Sequence, residues 1–264
     1  SILARLRSAG EERGASVGLD IAAEMLGALR DHVSGAFILP PFGRFDAVPQ
    51  LLERLGLETH ERALGEGGEL ASVLAGRDVV MSACPYYLTP TVAKAAREAG
   101  VHYFDLTEDV ESTRVVRKLA EGADTAFVPQ CGLAPGFISI AANGVLQGFD
   151  QLRDVRMRVG ALPIFPSNAL KYNLTWSTDG LINEYCNPCE AIVDGAVREV
   201  AALEGMEEFS LDGVAYEAFN TSGGLGTLCE TLAGRVENLD YKTVRYPGHR
   251  DIVKILVRDL RLGR

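Results

Sequence analysis

The seven residues Gln130-Cys131-Gly132-Leu133-Ala134-Pro135-Gly136 constrain the fold of this chain more than any other stretch. They join an apolar strand pattern at 125–130 to an apolar helical pattern at 137–146. Gly132 and Gly136 permit backbone angles and close approaches that a Cβ would forbid. Pro135 suits the first turn of a helix, where a missing N–H does no harm. A strand running through such a turn into a helix puts the helix N-terminus at the carboxyl edge of a parallel sheet, where open α/β sheets take their ligands. A plain crossover between two domains would show the same pattern.

Upstream, strand and helix patterns alternate. A helix is expected over 69–76, ending on Gly76. Residues 78–83 are an apolar run of the kind found in strands covered on both faces. Thr89-Pro90 reads as an N-cap with Pro at the first helical position, and that helix stops at Gly100. A strand at 101–105, a helix at 111–119 and a strand at 125–130 complete the series. This spacing predicts a right-handed parallel α/β sheet. In a dinucleotide-binding sheet the first strand leads through G-x-G-x-x-G into a helix. Residues 2–8 followed by Gly14, Ser16 and Gly18 are one site for that turn, in degraded form, ahead of a helical pattern at 21–30. Residues 36–39 followed by Pro40-Pro41-Phe42-Gly43 are another. We favour the first, which makes 36–39 the second strand, 47–55 a helix and 58–63 a short strand.

Downstream, 152–160 alternates charged and apolar residues, as does a strand with one wet face. Residues 211–219 and 239–244 look similar, 178–185 is helical, and 251–258 suits either state. The expected class is α/β: a Rossmann-like domain over 1–131, then an α+β domain over 132–264 built on a mostly antiparallel sheet.

Asp and Glu exceed Lys and Arg by 36 to 26, a net charge of -10. That argues against nucleic-acid and anionic-membrane partners. No apolar run approaches the roughly 18–20 residues that span a bilayer, and no signal peptide is visible. Five cysteines, an odd number, do not make a disulfide framework. A reducing, cytoplasmic protein is expected. Cys186-Asn187-Pro188-Cys189 has no second ligand pair nearby, so no metal is expected.

Several residues sit where chemistry is done. Ser82-Ala83-Cys84 and Asp105-Leu106-Thr107 follow sheet strands, and Asp105 suits an ammonium or a proton transfer. Cys131 lies in the same row. The loop Thr221-Ser222-Gly223-Gly224-Leu225-Gly226-Thr227 has backbone N–H groups and hydroxyls for a carboxylate. Lys242, Arg245 and His249 fall within eight residues. Arg suits a carboxylate and His a proton transfer near neutral pH. Strand alternation turns Lys242 and Arg245 opposite ways, so at most two of the three reach one site, and Lys242 with His249 are favoured.

These stretches, in order, resemble the saccharopine dehydrogenase-like family, and within it the lysine 6-dehydrogenase type. The series runs through 78–86, 99–106, 132–136, 175–185, 221–224 and 241–249. The resemblance implies an NAD- or NADP-dependent oxidoreductase that works at the C–N bond of an amine or amino acid through an imine, as a homodimer. It implies cofactor contacts at Ser82, Ala83, Cys84, Asp105, Leu106, Thr107, Cys131 and Gly132. Substrate would face Trp176, Thr221, Ser222, Lys242, Arg245 and His249. Family members continue past the position of Gly248-His249, so a fragment, a short member or a degenerate one is expected. With the glycine fingerprint incomplete, a catalytically silent relative acting as a dimeric binding module is the alternative.

Overall fold

The computed structural model describes residues 2–29, 47–57, 68–174 and 176–263. The chain divides into two compact units, Ser1–Ala63 and Leu64–Arg264. In the first, α1 (Ile2–Leu29) is broken at Gly10, whose φ of 68° interrupts the helix. Arg5 pairs with Glu24 across that break, and Arg54 of α2 (Ala47–Arg54) reaches Asp20. Residues 2–8 are therefore helix, not strand. Gly14, Ser16 and Gly18 lie inside α1, with helical backbone and no turn. The degraded phosphate turn is thus a misreading: an Ala- and Glu-rich context keeps helical hydrogen bonding through two glycines, each costing only about 1 kcal/mol. The strands expected at 36–39 and 58–63 lie outside the described residues.

The second unit carries two sheets. The first is parallel, in the order β1 (Val79–Ser82), β2 (His102–Asp105), β3 (Phe127–Val128). Helices α3 (Gly68–Leu74), α4 (Thr89–Ala99) and α5 (Val110–Ala120) connect or flank these strands. Val92, Ala93, Ala96, Val101, Tyr103 and Val116 pack into one core between them. Val79 and Met81 on the other face are exposed, so the apolar run at 78–83 marks a strand with one covered face, not two. Thr89 is the first residue of α4 instead of its cap, and Pro90 sits in the first turn. Asp109 caps α5 by accepting from the Ser112 N–H at 2.7 Å.

The turn after β3 coils tightly before α6 (Phe137–Leu146). Gly136 has a φ of 128°, and a Cβ there would overlap backbone atoms of Gln130 and Gly132. The second sheet then runs β6-β5-β9-β8-β7, with β4 alongside β9. These are β4 (Asp154–Val159), β5 (Cys189–Val193), β6 (Ala196–Val200), β7 (Glu207–Leu211), β8 (Val214–Asn220) and β9 (Asn238–Arg245). All pairings are antiparallel except β4 with β9. Leu239 and Tyr241 of β9 pack with Met157 and with Leu228 and Leu232 of α8 (Leu228–Leu232), against which α6 lays Ile138 and Ala142. Helix α7 (Thr178–Cys186) and helix α9 (His249–Lys254) meet Phe219 in a third core. The ambiguous segment 251–258 is helical throughout. No described helix is long and apolar enough to cross a membrane.

Candidate active site

Strand β9 decides which expected residues meet. Its alternation puts Tyr241, Thr243 and Arg245 on one face and Asp240, Lys242 and Val244 on the other. On the second face Lys242 Nζ donates to Gly205 O at 2.6 Å and to Glu207 Oε1 at 2.5 Å. Arg158 binds Glu207 at 2.8 Å and also pairs with Asp240. Lys242 is therefore a member of an ion-pair network on the face of β9 away from Arg245.

Arg245 points the other way, toward α7 and α9. It is 5% exposed. Its Nε donates to the Tyr185 hydroxyl at 3.2 Å, and its guanidinium carbon stands 4.3 Å from the centre of the Tyr172 ring. Trp176 Nε1 donates in turn to the Tyr172 hydroxyl at 2.9 Å. Among the described residues no carboxylate forms an ion pair with Arg245. A buried guanidinium lacking an anion is costly unless a ligand brings one.

His249 begins α9, whose first N–H groups are bound by the buried Glu217: Gly248 N donates to Oε2 at 2.8 Å and Arg250 N to Oε1 at 2.7 Å. The ring is 1% exposed. Nδ1 lies 2.8 Å from the Leu170 carbonyl, which can only accept, so Nδ1 carries the proton. Nε2 then accepts from the Tyr185 hydroxyl at 3.0 Å. Burial, with help from the Arg245 charge, pulls the imidazole down to about 4. His249 is thus a neutral ring that fixes Tyr185, which fixes Arg245. It is a positioning residue with both nitrogens engaged.

Thr221 and Ser222 also arrive here. Thr221 Oγ1 lies 2.9 Å from Thr243 Oγ1, and the Ser222 N–H donates to the Glu184 carbonyl at 3.0 Å. The loop presses on the parallel sheet: a Cβ on Gly223 would overlap the Glu108 carbonyl oxygen, and one on Gly224 the Tyr241 ring. Asn183 of α7 donates to Asp109 at 3.0 Å. The loop after β2 and the loop 221–227 therefore touch.

Asp105 does not serve as expected. It is 1% exposed; Oδ2 accepts from the Tyr103 hydroxyl at 2.8 Å, and Oδ1 from the N–H groups of Thr107 and Gln130 at 2.9 and 3.1 Å. Its carboxylate ties the ends of β2 and β3 together. Cys131 donates its backbone N–H to the Asp105 carbonyl, and burial raises its thiol above the ordinary range. The five cysteines are free. Burial pushes Cys189 up to about 12.

Two carboxyls that the sequence reading passed over stand at this junction. Glu108 Oε1 is buried without a hydrogen-bond partner. Glu184 is 8% exposed, and no described residue donates to its carboxylate. Burial, then the Glu108 charge, push Glu184 up to about 8 against the pull of Arg245. The helical phase of α7 could have revealed it, since Gly180, Leu181, Glu184 and Tyr185 share the buried face.

Comparison with known proteins adds the following. Residues 44–127 match the family model of the saccharopine dehydrogenase NADP binding domain, and residues 132–261 that of the saccharopine dehydrogenase C-terminal domain. The chain is 25% identical over 161 residues to the mitochondrial alpha-aminoadipic semialdehyde synthase of Rattus norvegicus, covering 57% of this chain and 17% of that protein. It is 24% identical over 204 residues to saccharopine dehydrogenase (NADP(+), L-glutamate-forming) of Pyricularia oryzae, covering 74% and 45%. It spans less than half the length of these curated relatives. In fold it is similar to apo histidine-tagged saccharopine dehydrogenase (L-Glu forming) from Saccharomyces cerevisiae, with a TM-score of 0.62 at 23% identity over 83% of this chain and 51% of that one.

The described residues fit one end of a nicotinamide dinucleotide. Ser82 Oγ, at the carboxyl end of β1, is buried with no partner, and Gly132 comes close to the Leu106 carbonyl, where a Cβ would stand 3.3 Å away. The pyrophosphate end does not fit. The turns after β1 and β2 contain no glycine. The turn after β3 uses its own N–H groups: Phe137 N and Ile138 N donate to Gly132 O and Leu133 O.

Proposed function

This chain belongs to the saccharopine dehydrogenase family, and from its site we propose an oxidoreductase that converts the C–N single bond of an amino acid to an imine, with a nicotinamide coenzyme as oxidant. The observation that carries this reading is the buried, anion-free guanidinium of Arg245, held beside a carboxyl-bearing helix at the carboxyl edge of a parallel sheet. Arg245, whose Nη1 already donates to the Val244 carbonyl at 2.9 Å, takes the substrate carboxylate through its remaining Nη1 and Nη2 N–H groups. Tyr172 and Trp176 hold the guanidinium plane, and Tyr185 with His249 fix its other side. The substrate is thereby anchored by its unreactive end, the arrangement that orients the reacting carbon. Saccharopine-like and lysine-like amino acids are the substrate class that the family and the resemblance favour.

The missing phosphate turn among the described residues favours a second reading, a silent relative that keeps the substrate pocket as a binding module. One experiment separates them. The purified chain is screened with amino acids and amines against NAD+ and NADP+ in excess, following the reduced nicotinamide by absorbance. Reduction that depends on an added amino acid supports the enzyme. Saturable amino-acid binding with no reduction for any pair would leave the binding module.

A further inference from the structure

Glu108 and Glu184 reach one place from two elements. Glu108 follows β2, and its carboxyl lies against the first turn of α7, where a Cβ on Gly180 would stand 2.9 Å from Oε1. Glu184 sits one turn further along α7, on the same face as Gly180. Helical side chains lean toward their N-terminus, which carries the Glu184 carboxyl back toward Glu108. The two charges act on each other. No described Lys, Arg or His forms an ion pair with either, and no hydrogen bond joins them. Arg245 acts on Glu184 through its field without contact.

A fold gains nothing from a buried carboxyl oxygen left unpaired, as Glu108 Oε1 is, near a second buried carboxyl to which no described residue donates. A hard divalent cation asks for six or more oxygen ligands, and among the described residues no group of three metal-ligating side chains occurs. An organic ammonium asks for three acceptors and brings one charge, which two carboxyls supply.

We propose that Glu108 and Glu184 form an ammonium subsite that works with Arg245, so that the ligand is a zwitterion with its carboxylate on Arg245 and an ammonium between the two glutamates. The proposal rests on the reading of Arg245 as the carboxylate anchor. It replaces Asp105, whose oxygens are engaged, as the residue that meets the substrate nitrogen. The site then selects by charge at both ends: an amine without a carboxylate, or a carboxylate without an amine, satisfies only half of it. Thr221 and Thr243, the latter on the Arg245 face of β9, bond their hydroxyls to each other and bring no charge.

The test is calorimetric binding of three probes: L-lysine, 1,5-diaminopentane and hexanoate. Glu184→Gln and Glu108→Gln keep side-chain length and remove the carboxyl that an ammonium would hold ionised. Each should weaken L-lysine and 1,5-diaminopentane by roughly tenfold or more, the loss expected for a charged hydrogen bond, and leave hexanoate unchanged. Arg245→Met should do the opposite, weakening L-lysine and hexanoate and sparing the diamine. Thermal melts confirm folding, and Glu184→Met repeats the test should Gln misfold. Unchanged amine affinity in the glutamate variants overturns the subsite, as does a wild-type chain that fails to bind the diamine below about 10 mM. Because turnover is not read, amine binding lost on Glu184→Gln in an inactive chain supports the subsite and sinks the enzyme reading. Turnover with intact amine binding in the variants does the reverse.

Discussion

Glu184→Gln should make the protein more stable, and only at high pH. The folded carboxyl is pushed up to about 8 from an ordinary 4.5, first by burial and then by Glu108. A raised carboxyl is protonated in the fold, so its contribution to stability is intact below about pH 4.5 and is lost as pH rises toward 8. At about 1.36 kcal/mol per pKa unit, holding it ionised above pH 8 costs on the order of 5 kcal/mol. Glutamine avoids that charge but leaves a buried amide short of partners, at a cost of about 1–3 kcal/mol. The net gain near pH 9 is about 2–4 kcal/mol, or a rise in Tm of roughly 5–10 °C for a chain of this size. Near pH 5 the wild-type carboxyl is neutral in the fold, so the advantage vanishes or reverses by about 1–2 kcal/mol. The assay is chemical or thermal unfolding of both proteins across this range. Parallel curves, with the variant less stable at both ends, would refute the reasoning. A residue whose removal stabilises the fold is held there for another reason, which the ammonium subsite supplies.

His249 titrates in the opposite sense. Its folded value is depressed to about 4 from 6.5, so the stability it contributes is present above pH 6.5 and disappears as pH falls through 4. Acid unfolding of His249→Gln should lack up to about 3 kcal/mol of the wild-type loss across that window; identical slopes would contradict the buried neutral ring. Gly223→Ala should destabilise by more than about 2 kcal/mol, because φ is 82° and the new Cβ meets the Glu108 carbonyl; an unchanged melt would place the loop elsewhere. The chain should bind NAD(H) and NADP(H) more weakly than micromolar, about 8 kcal/mol, by calorimetry, since no glycine turn among the described residues receives the pyrophosphate; a micromolar constant would overturn this.

Much of the architecture was legible in the chain. The alternation from residue 69 to 146 fixed the parallel sheet because apolar runs, Gly stops and the Pro-bearing turns agreed with one another. β5, β6 and β7 were passed over because Glu190, Glu199 and Glu207 interrupt their alternation with charges on an exposed sheet face. The error at Gly14–Gly18 came from reading glycines by spacing alone, when the helical residues around them prevail. Alternation along β9 correctly set Lys242 against Arg245, yet the choice between them needed Glu207, which lies on a different strand. Glu108 and Glu184 are 76 residues apart, and no local pattern says that a loop and a helix will bring them together.

The proposed function stands or falls with Arg245 as the anchor of a substrate carboxylate. Its most direct test is coenzyme-dependent oxidation by wild type, Arg245→Lys and Arg245→Met, with an amino acid and with the matching amine that lacks the carboxylate. Arg245→Met should lower kcat/KM for the amino acid by roughly 100-fold, the worth of two charged hydrogen bonds, mostly through KM. Lysine should restore part of that loss, and the amine should be indifferent to the substitution. An amino acid oxidised by Arg245→Met with unchanged kcat/KM would contradict it.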